Sequence, residues 1–262
     1  MDRNHRRRFG QNFLDDAMAL AIASDLPVKS GQPILEIGPG HGALTRHLLQ
    51  RTEALTAVEI DPECAELVTR TFAGRPITVI NQDFMKFDLD SWCEAHPESW
   101  AAGNLPYNVA TGILVRLVER IEKFSGVMAM VQYEVALRLC AQPCSSDYGS
   151  LSVFVAAHCD RKLLRKIGPE HFTPKPNVDS ATVLLTPRKP IMATPPGFFE
   201  FVQACFAHKR KRLSNSLTGP WTKTQIMDAI SGLGLGEHTR AEELSPEVFL
   251  DLYRSLHVST PA

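Results

Sequence analysis

The 262-residue sequence contains no long run of apolar residues. No stretch approaches the roughly 20 residues that a membrane-spanning helix requires. Residues 1–13 are rich in arginine and polar side chains, whereas a secretion signal has a charged head followed by an apolar segment. The sequence therefore predicts a cytoplasmic protein with no membrane partner. With 44% hydrophobic residues, it can nevertheless bury a substantial core.

Cysteines are few and poorly spaced for metal binding. The six cysteines include no Cys-x-x-Cys pair, and Cys140 and Cys144 have no histidine at the spacing of a metal-ligand set. We interpret all six as reduced thiols and expect no metal site. The sequence also lacks internal repeats and low-complexity tracts.

The net charge is close to zero, because 28 Lys and Arg residues are balanced by 29 Asp and Glu residues. A total of −1 by itself argues against a nucleic-acid-binding protein. The distribution argues the other way, since residues 31–101 carry 11 acidic and 5 basic residues, whereas residues 102–189 carry 11 basic and 7 acidic residues.

Three basic clusters stand out from this background. They are Arg3/Arg6/Arg7/Arg8, Arg161/Lys162/Arg165/Lys166 and Lys209/Arg210/Lys211/Arg212. Any one of them is as compatible with a solvated face as with a binding surface. Three clusters on one face would suit a phosphate backbone.

Short apolar runs alternate with longer amphipathic ones over the first 187 residues. The apolar runs predict buried strands at residues 33–38, 54–60, 77–81, 101–104 with the residues just before them, 126–132, 151–157 and 182–186. The amphipathic runs predict helices at residues 43–51, 62–71, 111–123 and 134–141. Such alternation predicts an α/β fold with a mostly parallel, Rossmann-like sheet, helices on both faces and the last two strands as an antiparallel edge.

The pattern changes near Pro187. A proline-rich linker precedes helical periodicity at residues 198–206, 223–233 and 246–256. We therefore expect two domains, a sheet domain with a basic N-terminal arm at residues 1–187 and a small helical domain at residues 188–262.

A glycine-rich run, Glu36-Ile37-Gly38-Pro39-Gly40-His41-Gly42, follows the first predicted strand and precedes a helix. Glycines there let the backbone pass close to a ligand, although a dinucleotide site would give the same pattern. Glu59 ends the next strand, where a carboxylate can accept both ribose hydroxyls or simply be a charge at a helix start. Asp83 ends the third strand, where it can accept from an adenine amino group or cap the following helix. We favour the ligand roles.

The run Asn104-Leu105-Pro106-Tyr107 is the most informative feature of the sequence. A short polar acceptor, a rigid proline and an aromatic ring are what an enzyme needs to hold the exocyclic amine of a planar base while stacking on it. The Asn104 side-chain oxygen and the backbone carbonyl of Leu105 or Asn104 would accept the two amine hydrogens. Tyr107 would stack on the ring, and Pro106 would fix the turn.

Further motifs extend along almost the whole chain. They include Arg8-Phe9-Gly10-Gln11-Asn12-Phe13-Leu14, Val58-Glu59-Ile60-Asp61, Gln82-Asp83, Phe172-Thr173-Pro174 and Val178-Asp179-Ser180-Ala181. With the two runs above, they make the sequence similar to the KsgA (RsmA) family of S-adenosylmethionine-dependent ribosomal RNA adenine dimethyltransferases.

The resemblance implies a site in three parts. S-adenosylmethionine would be held by Asn12, Leu14, Gly38, Gly40, Glu59, Asp83 and Asn104. The catalytic residues would be Asn104, Leu105, Pro106, Tyr107 and Phe172, with Phe172 joining Tyr107 around the target base. We expect RNA contacts from Arg7, Arg8, Arg210, Lys211 and Arg212.

The implied activity is N6,N6-dimethylation of two adjacent adenosines in a hairpin loop near the 3′ end of 16S ribosomal RNA, with a role in small-subunit biogenesis. The partner would be the small ribosomal subunit, and we expect a monomer. Two alternatives stay open: a large-subunit adenine dimethyltransferase of the macrolide-resistance type, and a non-catalytic ribosome-assembly factor. The segments at residues 210–217 and 240–245 favour the small-subunit enzyme.

Two positions depart from the family pattern. Tyr133 stands where a basic residue is usual, which predicts that one phosphate contact is missing. Gly112 stands where proline is common, which predicts a more mobile loop after Asn108.

Overall fold

The computed structural model describes residues 12–208, 211–217 and 219–258. These residues form two compact units. Unit 1 is drawn from Met1–Ala136 and Cys159–Pro187, and unit 2 from Leu137–His158 and Arg188–Ala262. Unit 1 therefore ends at the residue where we placed the domain boundary, but residues 137–158 pack in unit 2.

The strands and helices of unit 1 alternate as the sequence predicts, although β1 (Phe13–Leu14), α1 (Asp16–Asp25) and α4 (Leu89–Ala95) were not among the predicted elements. In chain order they are β1 (Phe13–Leu14), α1 (Asp16–Asp25), β2 (Ile34–Ile37), α2 (Ala43–Leu48), β3 (Leu55–Glu59), α3 (Pro62–Thr71), β4 (Ile77–Asn81), α4 (Leu89–Ala95), β5 (Ser99–Asn104), α5 (Ala110–Val118) and β6 (Phe124–Gln132). Helix α6 (Tyr133–Cys140) leads into unit 2, where α7 (Ser150–His158) follows. The chain then returns to unit 1 with β7 (Cys159–Ile167), β8 (Phe172–Thr173) and β9 (Ser180–Pro187).

Within the described residues, seven strands form one sheet in the order β4-β3-β2-β5-β6-β9-β7. Strands β2 to β6 pair in parallel, and β9 is antiparallel to both β6 and β7. All residues of β2 and β3 are buried, as expected for strands covered on both faces. The expected Rossmann-like sheet with an antiparallel edge is confirmed.

One predicted strand is wrong. Residues 151–157 lie in helix α7, and the antiparallel edge strand is β7 instead. A short apolar run cannot be assigned to strand or helix by periodicity when every side is buried, and seven residues of α7 are buried. Strand β7 escaped notice because it carries Arg161, Lys162, Arg165 and Lys166, charges that suit an exposed sheet edge.

Gly112 also lies elsewhere than expected. It belongs to the first turn of helix α5, which begins at Ala110, and not to a loop. A methyl group added at Gly112 would meet only the end of the Met85 side chain, at 3.8 Å.

Unit 2 is helical, as the C-terminal periodicity predicts. Its helices after residue 188 are α8 (Phe198–Cys205), α9 (Leu213–Ser216), α10 (Lys223–Gly232) and α11 (Pro246–Val258). Phe198, Phe249 and Tyr148 are fully buried in its core, and the Tyr148 hydroxyl donates to the Leu244 carbonyl over 2.7 Å. Across the described part of the chain, no helix has the length and apolar character needed to cross a membrane.

Candidate active site

A cavity of about 340 Å³ opens in unit 1 at the carboxyl ends of parallel strands β2 to β5. The strand order switches sides between β2 and β5, because β3 and β4 follow on one side of β2 while β5 and β6 lie on the other, and open α/β sheets bind ligands at such a point. The residues that line the cavity include Asn12, Leu14, Gly38, Gly40, Glu59, Asp83, Asn104, Leu105, Pro106 and Tyr107. Every predicted cofactor residue is therefore gathered here, with four of the five predicted catalytic residues.

The glycine-rich run forms the floor between β2 and α2. Gly38 and Gly40 have φ angles of 67° and 55°, in the left-handed region that favours glycine. A side chain at Gly40 would also lie 3.2 Å from the Phe13 ring, which lines the same cavity. The backbone can approach a ligand closely here because these positions carry no side chain.

Glu59 holds the glycine loop as well as facing the cavity. One carboxylate oxygen accepts from the Gly40 amide at 3.0 Å, and the other accepts from the Asp61 amide at 2.9 Å. Burial raises the pKa of Glu59, while these hydrogen bonds act in the opposite direction. Each carboxylate oxygen retains a lone pair, so both can also accept a ribose hydroxyl.

Glu36 is a site residue that sequence reasoning missed. It lies in the buried strand β2, lines the cavity and is 1% exposed. Its Oε2 atom has no hydrogen-bond partner among the described residues, and burial raises its pKa to about 8. The signal was present in the sequence, because a carboxylate between Leu35 and Ile37 is costly to bury unless it has a partner.

Asp83 lies where both of the roles considered for it are possible. Its Oδ1 accepts from the Met85 amide at 2.9 Å, which caps a short helical turn, and the residue lines the cavity. Arg116 of α5 holds the residues that follow Asp83 in place. Its guanidinium donates to the carbonyls of Phe84 and Phe87 and lies 5.4 Å from the Phe84 ring centre. Helix α5 thus supports this wall of the cavity.

Asn104 ends strand β5, and its side chain has a fixed orientation. The Nδ2 atom donates to the Asn12 carbonyl at 3.0 Å. Gly103 precedes it, and a methyl group there would meet the Ile37 carbonyl at 2.4 Å, so only glycine lets β5 lie this close to β2. The Leu105 amide donates to the Met130 carbonyl, whereas the Leu105 carbonyl accepts no hydrogen bond from the described residues.

Tyr107 is anchored through its hydroxyl. That oxygen lies 2.7 Å from the Ser180 hydroxyl at the start of β9, and burial raises the pKa of Tyr107. The ring of this half-buried residue lines the cavity, at the turn that a Val109 to Pro106 backbone bond closes. The anchor fixes the ring where a base could stack on it.

Phe172 is not brought to the cavity. It pairs with Leu14 through strands β1 and β8, and its side chain is 2% exposed in the core of unit 1. Leu14 and its neighbour Phe13 line the cavity instead. A role for Phe172 beside Tyr107 stays a prediction.

The predicted RNA-binding residues are only partly described. Arg7, Arg8 and Arg210 lie outside the described residues. Lys211 and Arg212 are exposed in unit 2, directly before α9.

The charge of the cavity suits a cationic cofactor. Glu36, Glu59 and Asp83 line it, and no lysine or arginine does so within the described ranges. S-adenosylmethionine carries a sulfonium and an ammonium group, and the unpartnered oxygen of Glu36 is a buried acceptor for such a charge. Among the described residues, no group of three or more His, Cys, Asp or Glu side chains could hold a metal ion.

Comparisons with known proteins identify the family of the chain. The family described as ribosomal RNA adenine dimethylase matches residues 2–257. Ribosomal RNA small subunit methyltransferase A of Rubrobacter xylanophilus is 39% identical over 96% of this chain and 95% of its own. The protein of the same name from Geobacter sulfurreducens is 38% identical, with coverage of 96% and 95%.

Two solved structures share the fold. A dimethyladenosine transferase from Plasmodium falciparum has a TM-score of 0.79 and 22% identity, with coverage of 95% of this chain and 98% of that one. The 23S rRNA methyltransferase ErmE has a TM-score of 0.67 and 27% identity, with coverage of 94% and 100%. From the match over nearly its whole length, the chain belongs to the ribosomal RNA adenine dimethylase family.

Proposed function

We propose that this enzyme dimethylates N6 of two adjacent adenosines in a hairpin loop near the 3′ end of 16S ribosomal RNA, with the small subunit as its partner. Membership of the family makes the protein an S-adenosylmethionine-dependent adenine dimethyltransferase of ribosomal RNA. The observation that carries the residue roles is that Glu36, Glu59 and the run from Asn104 to Tyr107 line one cavity. A methyl donor and a base can therefore meet there.

The cofactor side of the site is made by carboxylates. S-adenosylmethionine supplies a methyl group on a positively charged sulfur. Glu59 would accept the ribose hydroxyls, Asp83 the adenine amino group, and Glu36 would face the ammonium group. Phe13 and Leu14 would cover this part of the cavity and exclude water.

The target side of the site must redirect a poor nucleophile. The N6 lone pair of adenine is delocalised into the ring. Because Asn104 already donates to Asn12, its side-chain oxygen remains as an acceptor for one N6 hydrogen. The open Leu105 carbonyl would accept the other hydrogen. Two such acceptors favour a pyramidal nitrogen whose lone pair points away from them, towards the cofactor side.

The same acceptors account for two methylations and for release. An N6 that has been methylated once keeps one hydrogen and can bind again after rotation of the amine. A doubly methylated N6 keeps no hydrogen, so both acceptors lose their partner, which favours release. The target adenosine must leave its stack to reach Tyr107, so the shape of the RNA contributes to selection.

The direct test is incubation with labelled S-adenosylmethionine and under-methylated small subunits, followed by mapping of the modified bases. We expect dimethyladenosine at two adjacent positions in the small subunit. Large subunits are the matched control. The chain is 27% identical to the 23S rRNA methyltransferase ErmE, so large-subunit RNA is the alternative substrate that the experiment must test. Label confined to large-subunit RNA would contradict the proposal, and binding to small subunits without label would favour an assembly factor.

A further inference from the structure

The second basic cluster of the sequence lies on edge strand β7, and part of its charge is paired. Arg165 bonds to Asp25, with 3.0 Å between Nε and Oδ2. Lys166 bonds to Asp179, with 2.7 Å between Nζ and Oδ2. Lys166 also lies over the ring of Tyr133, 4.7 Å from its centre. The Tyr133 amide completes the group by donating to the Asp179 carbonyl at 2.9 Å.

This group lies at the same end of the sheet strands as Asn104. Asn104 pairs with Met130 of β6, and two residues later Gln132 pairs with Ser180, which in turn pairs with Ile167. Three strand spacings, about 14 Å, separate β5 from β7. Ser180 also anchors the Tyr107 hydroxyl, so the group is continuous with the turn that receives the target base.

The chemistry of the group is that of a phosphate-binding site. An ammonium has three N–H donors, and Asp179 takes one of them. The Lys166 side chain is 54% exposed, and the neighbouring Tyr133 is partly exposed and carries a hydroxyl donor. The sequence predicted that a positive charge is missing at Tyr133, yet Lys166 places a positive charge directly over that ring.

We propose that Tyr133 and Lys166 bind the backbone phosphate of a nucleotide that flanks the target adenosine. This inference rests on the proposed function, because it assumes that RNA enters at the Asn104 turn. Asp179 holds the lysine in place over the ring. The ring in turn shields one side of the ammonium from water, which strengthens its interaction with an anion.

The test compares Lys166→Gln with Lys162→Gln, which removes the same charge from the same strand. An RNA hairpin with the 3′-terminal loop sequence of small-subunit RNA is titrated over a series of salt concentrations. Lys166→Gln should weaken binding and flatten the slope of log affinity against log salt by about 0.7–0.9, the value for one neutralised phosphate. Lys162→Gln should leave the slope unchanged, and neither variant should alter the affinity for S-adenosylmethionine.

Asp179→Asn separates phosphate binding from a purely structural ion pair. It keeps Lys166 and an amide oxygen that can still accept from its ammonium, and it removes the competing negative charge, so RNA affinity should stay equal or rise. A fall equal to that of Lys166→Gln would show that the pair only supports the fold and would overturn the inference, as would equal effects of the two lysine variants. Methylation of small subunits by the wild-type enzyme is measured in parallel, so that failure of the proposed function is seen separately.

Discussion

The side-chain amide of Asn104 donates to the backbone carbonyl of Asn12, with 3.0 Å between Nδ2 and the oxygen. A carbonyl can only accept, so the atom facing it must be the amide nitrogen, which leaves the Asn104 oxygen for the acceptor role that we propose. Asn12 directly precedes β1, which pairs with β8. A two-stranded ribbon far away in sequence therefore determines the orientation of the amide that we propose as catalytic.

Replacing Glu59 should weaken cofactor binding. Glu59→Ala removes the proposed acceptor for the ribose hydroxyls, and loss of hydrogen bonds to a charged group costs about 1–3 kcal/mol. Calorimetry with S-adenosylmethionine measures the change. Glu63→Ala, an exposed carboxylate in the first turn of α3, is the control and should bind normally. Unchanged affinity in a folded Glu59→Ala protein would contradict the assignment.

Glu36 should make cofactor binding depend on pH. Burial raises its pKa from 4.5 to about 8, so the free enzyme holds this proton at pH 7 while an unfolded chain does not. The associated stability is complete below pH 4.5 and is lost as the pH rises to about 8. A cationic cofactor favours the ionised form, so binding at pH 7 should release a proton and tighten as the pH approaches 8.

Calorimetry in two buffers of different ionisation enthalpy measures this proton. Glu36→Gln cannot ionise and should bind without releasing it. If the variant and the wild type released the same number of protons, the source would be another group.

Periodicity predicted the sheet well because its central strands are short, apolar and separated by amphipathic helices. It failed at residues 151–157, where an apolar run forms helix α7 and is buried on every side. It also missed β7, because the charges that protect an edge strand hide its apolar pattern. Both errors concern segments whose surroundings come from distant parts of the chain.

The site was predictable to the extent that its residues end strands. Glu59 and Asn104 are the last residues of β3 and β5, so the parallel sheet brings them to the same end of its strands. The hydrogen bond from Asn104 to Asn12 joins residues far apart in sequence, and so does the contact of the Lys166 ammonium with the Tyr133 ring. No local pattern marks either of them. The burial of Phe172 likewise follows from the pairing of β1 with β8.

The anchor between Tyr107 and Ser180 should contribute through a single hydrogen bond. Tyr107→Phe and Ser180→Ala each remove it and should slow turnover about fivefold, which corresponds to about 1 kcal/mol. The double variant should be no slower than either single variant, because the two changes remove the same interaction. Tyr107→Ala should be much slower, since it also removes the ring. Additive losses in the double variant would show that the hydroxyls act separately.

The cluster Arg210/Lys211/Arg212 should determine part of the salt dependence of RNA binding. The total charge is near zero, so affinity for RNA must come from local groups. A triple alanine variant should flatten the slope of log affinity against log salt by about 0.7–0.9 for each phosphate that the cluster neutralises in the wild type. Cofactor affinity should not change. A folded variant with the full slope would mean that this cluster is only solvated and that other basic residues bind the RNA.

Single-turnover methylation by Asn104→Ala tests the central claim, which is that the oriented Asn104 amide activates N6. The variant should bind RNA as the wild type does, yet transfer methyl groups at least about 100-fold more slowly, the scale for one well-placed transition-state hydrogen bond. Asn108→Ala, an exposed amide in the same segment, should react at the wild-type rate. A rate for Asn104→Ala close to that of Asn108→Ala, with RNA binding and folding intact, would contradict the account.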